Sequence, residues 1–141
     1  MSDVTSTGYQ PDFDIDLRRG QDGENFVANI LTGDTGTVEV KRDYGAFKTG
    51  NLYIETYQLN RAGDGWNPSG LLTTKADWWA FCGPDLAGFL LVSTRVLKHL
   101  AADAPHATQP IRNEHTNASA GRLVKVADVT NALFEEGRWT E

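Results

Sequence analysis

The stretch Thr37–Tyr57, TVEVKRDYGAFKTGNLYIETY, sets the expected fold. Two segments alternate apolar and polar residues with the period of a strand. In the first, Val38 and Val40 share one face, and Glu39 and Lys41 share the other. In the second, Leu52 and Ile54 face a core, while Tyr53, Glu55 and Tyr57 take the opposite face. The intervening YGAFKTG reads as the loop of a hairpin. Pairing Asp43 with Asn51 sets Glu39 opposite Glu55 and Lys41 opposite Tyr53. A slip of two residues keeps both carboxylates on the shared face, whereas a slip of one exposes the apolar set. Like charges directly across two strands are destabilising. Two facing carboxylates make sense where a cation sits between them.

Upstream, the pattern from about Gly20 to Leu31 is helical, with Phe26, Val27, Ile30 and Leu31 in one stripe. Glu24 falls on the margin of that stripe, and Gly33 is expected to end the helix. Phe13–Leu17, FDIDL, alternates and predicts an edge strand or extended lead-in. Residues 1–12 read as a polar arm, leaving 13–141 as one domain. Downstream, residues 58–70 form a Gly- and Pro-containing connection that carries Arg61 and Trp66. Thr74 and Asp77 resemble a helix-start box for a single turn. Trp78–Cys82 and Phe89–Val92 read as buried strands. Ser93 or Thr94 caps a helix built on Val96, Leu97 and Leu100. Residues 103–121 read as a polar loop, and Leu123–Val126 as a short strand. Asp128 caps a last helix ended by Gly137. This order predicts an α+β (mixed α/β sandwich) fold, a central mostly antiparallel sheet flanked by helices.

Composition narrows the classes. The chain has 141 residues, one domain's worth, and a single cysteine, Cys82, which fits a reducing compartment. No apolar run approaches the ~20 residues that span a bilayer, and the first ten residues lack the pattern of a signal peptide, so a cytoplasmic location and no membrane partner are expected. The net charge of −6 argues against gripping nucleic acid by bulk electrostatics. The distribution is uneven: residues 41–75 carry five bases (Lys41, Arg42, Lys48, Arg61, Lys75) and three acids (Asp43, Glu55, Asp64), whereas the segments on either side are net acidic. Arg42, Lys48, Arg61 and Lys75, with Trp66 as a stacking ring, are therefore candidate DNA contacts on an otherwise acidic body.

A divalent cation held by oxygen ligands supplies much of what phosphodiester hydrolysis needs. Mg²⁺ or Mn²⁺ takes one or two protein carboxylates and keeps several waters, so Glu39 and Glu55 could suffice, with Glu24 completing the shell. Lys41 lies two residues from Glu39 on the same face, placed to orient water or stabilise phosphate charge. Each residue also has a plainer reading. Glu39 and Lys41 suit the solvated face of an edge strand, Glu24 suits a first helical turn, and Asp43 suits a turn acid more readily than a ligand.

A helix glutamate followed by a strand carboxylate and a carboxylate-x-Lys element resembles the PD-(D/E)xK nuclease superfamily. VEVK resembles its E-x-K element, and GENFVANIL its first helix. The run VEVKRDYGAFKTGNLYIE, followed by PSGLLTTKADWWAF, is similar to small nuclease-like (Holliday-junction-resolvase-like) proteins of tailed phages. The resemblance spans roughly residues 20–82. It implies a restriction-endonuclease-like core, a Mg²⁺- or Mn²⁺-dependent DNA endonuclease acting on branched DNA in recombination or repair, and a two-fold homodimer. One departure stands out: the aspartate usually found on the strand before E-x-K is missing. Two assignments stay open. Asp34, Glu39 and Lys41 form the motif, or Glu39 and Glu55 are the two strand acids with Lys41 as the amine. A nuclease-like module that binds DNA or a replication protein without cleaving, and a small phage inhibitor of a host protein, are the competing functions.

Overall fold

The computed structural model describes residues 11–34, 36–111 and 117–140. These fall into two compact units that divide after Gly36. Among its described residues the first unit holds one helix, α1 (Pro11–Leu31). The expected arm lies mostly at 1–10, outside the described residues, and Pro11 and Asp12 already belong to α1.

The strand expected at Phe13–Leu17 is thus overturned: it is the start of α1. Alternation over five residues competes with a helical spacing, because Phe13 and Leu17 stand one turn apart. Pro11 occupies the first helical position, where its missing N–H costs nothing. Asp12, Asp14 and Asp16 fall in the first turns, where the helix dipole favours acids. The helix ends as expected. Gly33 has φ of 79°, and Asp34 N–H donates to Asn29 O at 2.9 Å.

The second unit is α+β. It runs β1 (Val38–Arg42), α2 (Ala46–Thr49), β2 (Asn51–Leu59), β3 (Trp66–Pro68), a 3₁₀ turn (Gly70–Leu72), β4 (Trp78–Cys82), β5 (Phe89–Ser93), α3 (Thr94–Ala102), β6 (His106–Gln109), β7 (Ser119–Lys125) and α4 (Val126–Leu133). The strands form two mostly antiparallel sheets, ordered β1-β4-β5 and β3-β2-β7-β6. The pair β1–β4 is parallel, and the other pairs are antiparallel.

The hairpin is the main correction. β1 pairs with β4, not β2, and the register sets Glu39 beside Trp79 and Lys41 beside Phe81. β2 pairs with β3 and β7. Glu39 and Glu55 are therefore not cross-strand partners. The loop between β1 and β2 carries a helical turn, α2, so the two strands leave it into different sheets.

The face assignment of β1 changes as well. Val38 and Val40 are 40% and 61% exposed, while Trp79 on the adjacent strand is 1% exposed. Glu39 and Lys41 share the face of Trp79 and Phe81, both core residues. Burying two aromatic rings removes far more apolar area from water than burying two valines, so β4 decides which face of the sheet is packed. β2 follows its expected alternation, with Leu52 and Ile54 buried. They join Trp79, Phe81 and Val92 of the first sheet, Val124 of β7, Val96 and Leu97 of α3, and Val129 of α4.

Smaller differences follow the same logic. Residues 103–121 hold β6 and the start of β7 rather than a loop alone. The single turn forms at Gly70–Leu72, ahead of Thr74, and Asp77 instead accepts from Thr37 N–H at 3.2 Å. Of the two expected caps, Ser93 takes the role, accepting from Val96 N–H at 3.2 Å, and Thr94 is the first helical residue. The last helix spans Val126–Leu133, with Asp128 in its first turn rather than at its cap. Among the described residues no helix is long and apolar enough to cross a membrane.

Candidate functional site

Glu39 and Lys41 sit on β1, an edge strand of its sheet, two residues apart and so on one face. Their side chains form an ion pair of 2.9 Å and are each about two-fifths exposed. Lys41 Nζ also lies 5.5 Å from the centre of the Trp79 ring. The ammonium is therefore held between a carboxylate and an aromatic face.

Glu55 sits in the middle of β2, and its surroundings hold it closely. Ser69 Oγ donates to Glu55 Oε2 at 2.6 Å, and Ser69 N–H donates to Thr56 O at 2.8 Å. Gly70 follows with φ of 52°, and a Cβ there would collide with the Glu55 carbonyl. On the adjacent strand a Cβ at Gly121 would collide with the Ile54 carbonyl. Immediately after Glu55 the β2–β7 ladder slips by one residue, a β-bulge before Tyr57. Bulges re-aim side chains, and Tyr57 lines a different cavity from Glu55.

Glu39, Lys41 and Glu55 line one open cavity of about 520 Å³, together with Ser69, Thr74 and Lys75. Both acids line it although their strands do not pair. Lys41 and Glu55 also line a neighbouring cavity of about 550 Å³ with Asp43, Tyr53 and Trp79. Lys41 and Glu55 thus line two adjoining recesses. Two carboxylates and two ammonium groups, Glu39, Glu55, Lys41 and Lys75, balance in formal charge across the first recess. A cation could be held by the acids while the lysines face an anionic ligand.

The remaining candidates divide. Asp43 is a structural acid: Oδ1 accepts from Gly45 N–H and Ala46 N–H at 3.1 and 3.0 Å, and Oδ2 accepts from Tyr53 N–H at 3.1 Å. It ties the α2 turn to β2. Asp34 accepts from Thr32 Oγ1 at 2.9 Å within the helical unit, and Glu24 lies exposed on α1. Among the described residues no three His, Cys, Asp or Glu side chains form a group ready to hold a metal. Of the basic candidates, Lys75 lines the recess. Arg42 donates to Pro84 O at 2.7 Å and stacks on Tyr44. Lys48 is exposed in α2, Arg61 is exposed in a turn, and Trp66 is half-exposed on β3.

Ser69, Gly70 and Gly121 were not legible as site residues. Ser69 and Gly70 fell in the connection read over residues 58–70, and nothing in it pointed to Glu55.

The chain matches no family model, and no curated protein and no solved structure is significantly similar to it. What the structure defines is a class: an α+β protein with a Glu-x-Lys edge strand and a separately anchored glutamate on one recess.

Proposed function

We propose that this chain is a metal-dependent DNA endonuclease that hydrolyses phosphodiester bonds, acting on branched DNA in phage recombination or repair. The observation that carries the reading is the shared recess of Glu39, Lys41 and Glu55. Mg²⁺ asks for only one or two protein carboxylates, so Glu39 and Glu55 suit it without a third acid. When bound, the ion supplies charge neutralisation and an activated water. Ser69 holds the Glu55 carboxylate in place, and Lys41 offers an ammonium to the phosphate from the same face as Glu39. Lys75 extends the positive rim. A two-fold dimer rests on the nuclease resemblance alone, and Glu24 as a third ligand rests on that resemblance and on its place at the margin of the helical stripe.

The test is cleavage of a four-way junction, a flap and a linear duplex by the full chain, with Mg²⁺ or Mn²⁺ and then with chelator. Glu39→Gln and Glu55→Gln should each lower the rate by about a hundredfold or more while the fold is kept. Undiminished cleavage by either variant would end the proposal. A second reading, a module that binds DNA or a replication protein without cleaving it, is favoured by the Glu39–Lys41 ion pair, which already occupies one acid. It requires DNA binding that persists in both variants with no cleavage by the parent.

A further inference from the structure

A separate open cavity of about 360 Å³ forms where β2, the Gly70–Leu72 turn, α3, β6 and β7 come together. Its floor is apolar, including the buried Leu71 and Ala101. Its basic side chains are Lys98, His106 and Arg122, and no carboxylate is among its described lining residues. That bias runs against a chain of net charge −6.

The basic groups come from three elements, and their placement is specific. His106 and Arg122 are register partners across the antiparallel β6–β7 pair. Two basic side chains directly opposite repel when both are charged, and an anion between them removes that cost. Arg122 is held in position because Nη1 donates to Ala102 O and Ala104 O at 3.3 and 2.7 Å. Those bonds use one of its three nitrogens, and the guanidinium fork suits phosphate oxygens. Lys98 adds an ammonium from α3. The β-bulge that follows Glu55 brings Tyr57 to the same cavity, so a ring and a hydroxyl stand beside the basic groups.

We propose that this cavity binds a phosphate monoester carried on a ring, the chemistry of a nucleoside 5′-monophosphate, either free or at the 5′ end of a nucleic-acid strand. The phosphate meets Lys98, His106 and Arg122, and the ring lies over the apolar floor beside Tyr57. The volume falls within the ~300–1,000 Å³ range of small-ligand sites. Glu39, Lys41 and Glu55 do not line this cavity, so the proposal stands apart from the nuclease reading.

Calorimetric titration of the full chain in chelator tests it, with adenosine 5′-monophosphate, adenosine, and an oligonucleotide bearing either a 5′-phosphate or a 5′-hydroxyl. The expected result is binding that needs the phosphate, weakened about tenfold or more by Lys98→Glu and by His106→Ala at unchanged melting temperature. Preference for the phosphorylated oligonucleotide over the free nucleotide assigns the ligand to a strand end, and the reverse preference assigns it to a free nucleotide. The proposal is overturned if neither phosphorylated probe binds, if binding ignores the phosphate, or if both variants bind as the parent does.

Discussion

Ser69 and Glu55, fourteen residues apart in the chain, are joined by a hydroxyl-to-carboxylate hydrogen bond of 2.6 Å. The bond fixes one carboxylate oxygen, Oε2. Ser69→Ala should lower cleavage by about tenfold, since a hydrogen bond to a charged group contributes about 1.5–3 kcal/mol. Ser69→Thr keeps the hydroxyl and should restore most of the rate. Equal rates for Ser69→Ala and the parent would show that Glu55 needs no such guide.

The backbone around Glu55 has no room for a methyl group on either side. Gly121→Ala forces β7 away from β2, and Gly70→Ala adds the strain of a positive φ to a clash. Each should destabilise the fold by about 2 kcal/mol or more, seen as a lower urea midpoint. A midpoint within error of the parent for Gly121→Ala contradicts the close β2–β7 approach.

Asp43 separates structure from chemistry. Asp43→Ala strands three backbone N–H groups and should cost about 2–3 kcal/mol in urea unfolding, with or without Mg²⁺. Loss of cleavage at an unchanged midpoint would instead make Asp43 a ligand.

Lys41 should behave in the opposite way. Its ion pair with Glu39 is half exposed, so Lys41→Met should shift stability by less than about 1 kcal/mol. Cleavage should fall by about a hundredfold, as for other groups that stabilise charge in the transition state. A variant that cleaves normally removes the lysine from the site.

The helical start of the chain can be checked without any assay of function. Gly20 and Gly23 lie inside α1 with open space around each Cα. Gly20→Ala and Gly23→Ala should each stabilise the helix by about 0.5–1 kcal/mol and raise the far-ultraviolet helix signal. No gain in either variant would contradict a helix that runs through Gly20 and Gly23.

Much of the local structure was legible. β2 followed from alternation, β4 and β5 from their apolar runs, and the cap of α3 from the Ser93-Thr94 pair, because each depends on neighbours within a few residues. Leu52 and Ile54 are buried where the period of two placed them. β1 was legible as a strand but not as a partner of β4, and its packed face came out reversed. The deciding groups, Trp79 and Phe81, lie about forty residues further on. FDIDL was misread because five residues satisfy both periods.

The candidate site shows the same division. Residue order alone put Glu39 and Lys41 on a common side of one strand, since alternation is a property of the extended backbone. The expectation that Glu39 and Glu55 face each other rested on a hairpin that does not form. Their shared recess arises instead from how two sheets are assembled, with Asp43 tying the turn to β2 and the Ser69–Gly70 segment closing on Glu55. Long-range packing settles such contacts, because the burial of distant aromatic rings outweighs any preference written into a five-residue strand.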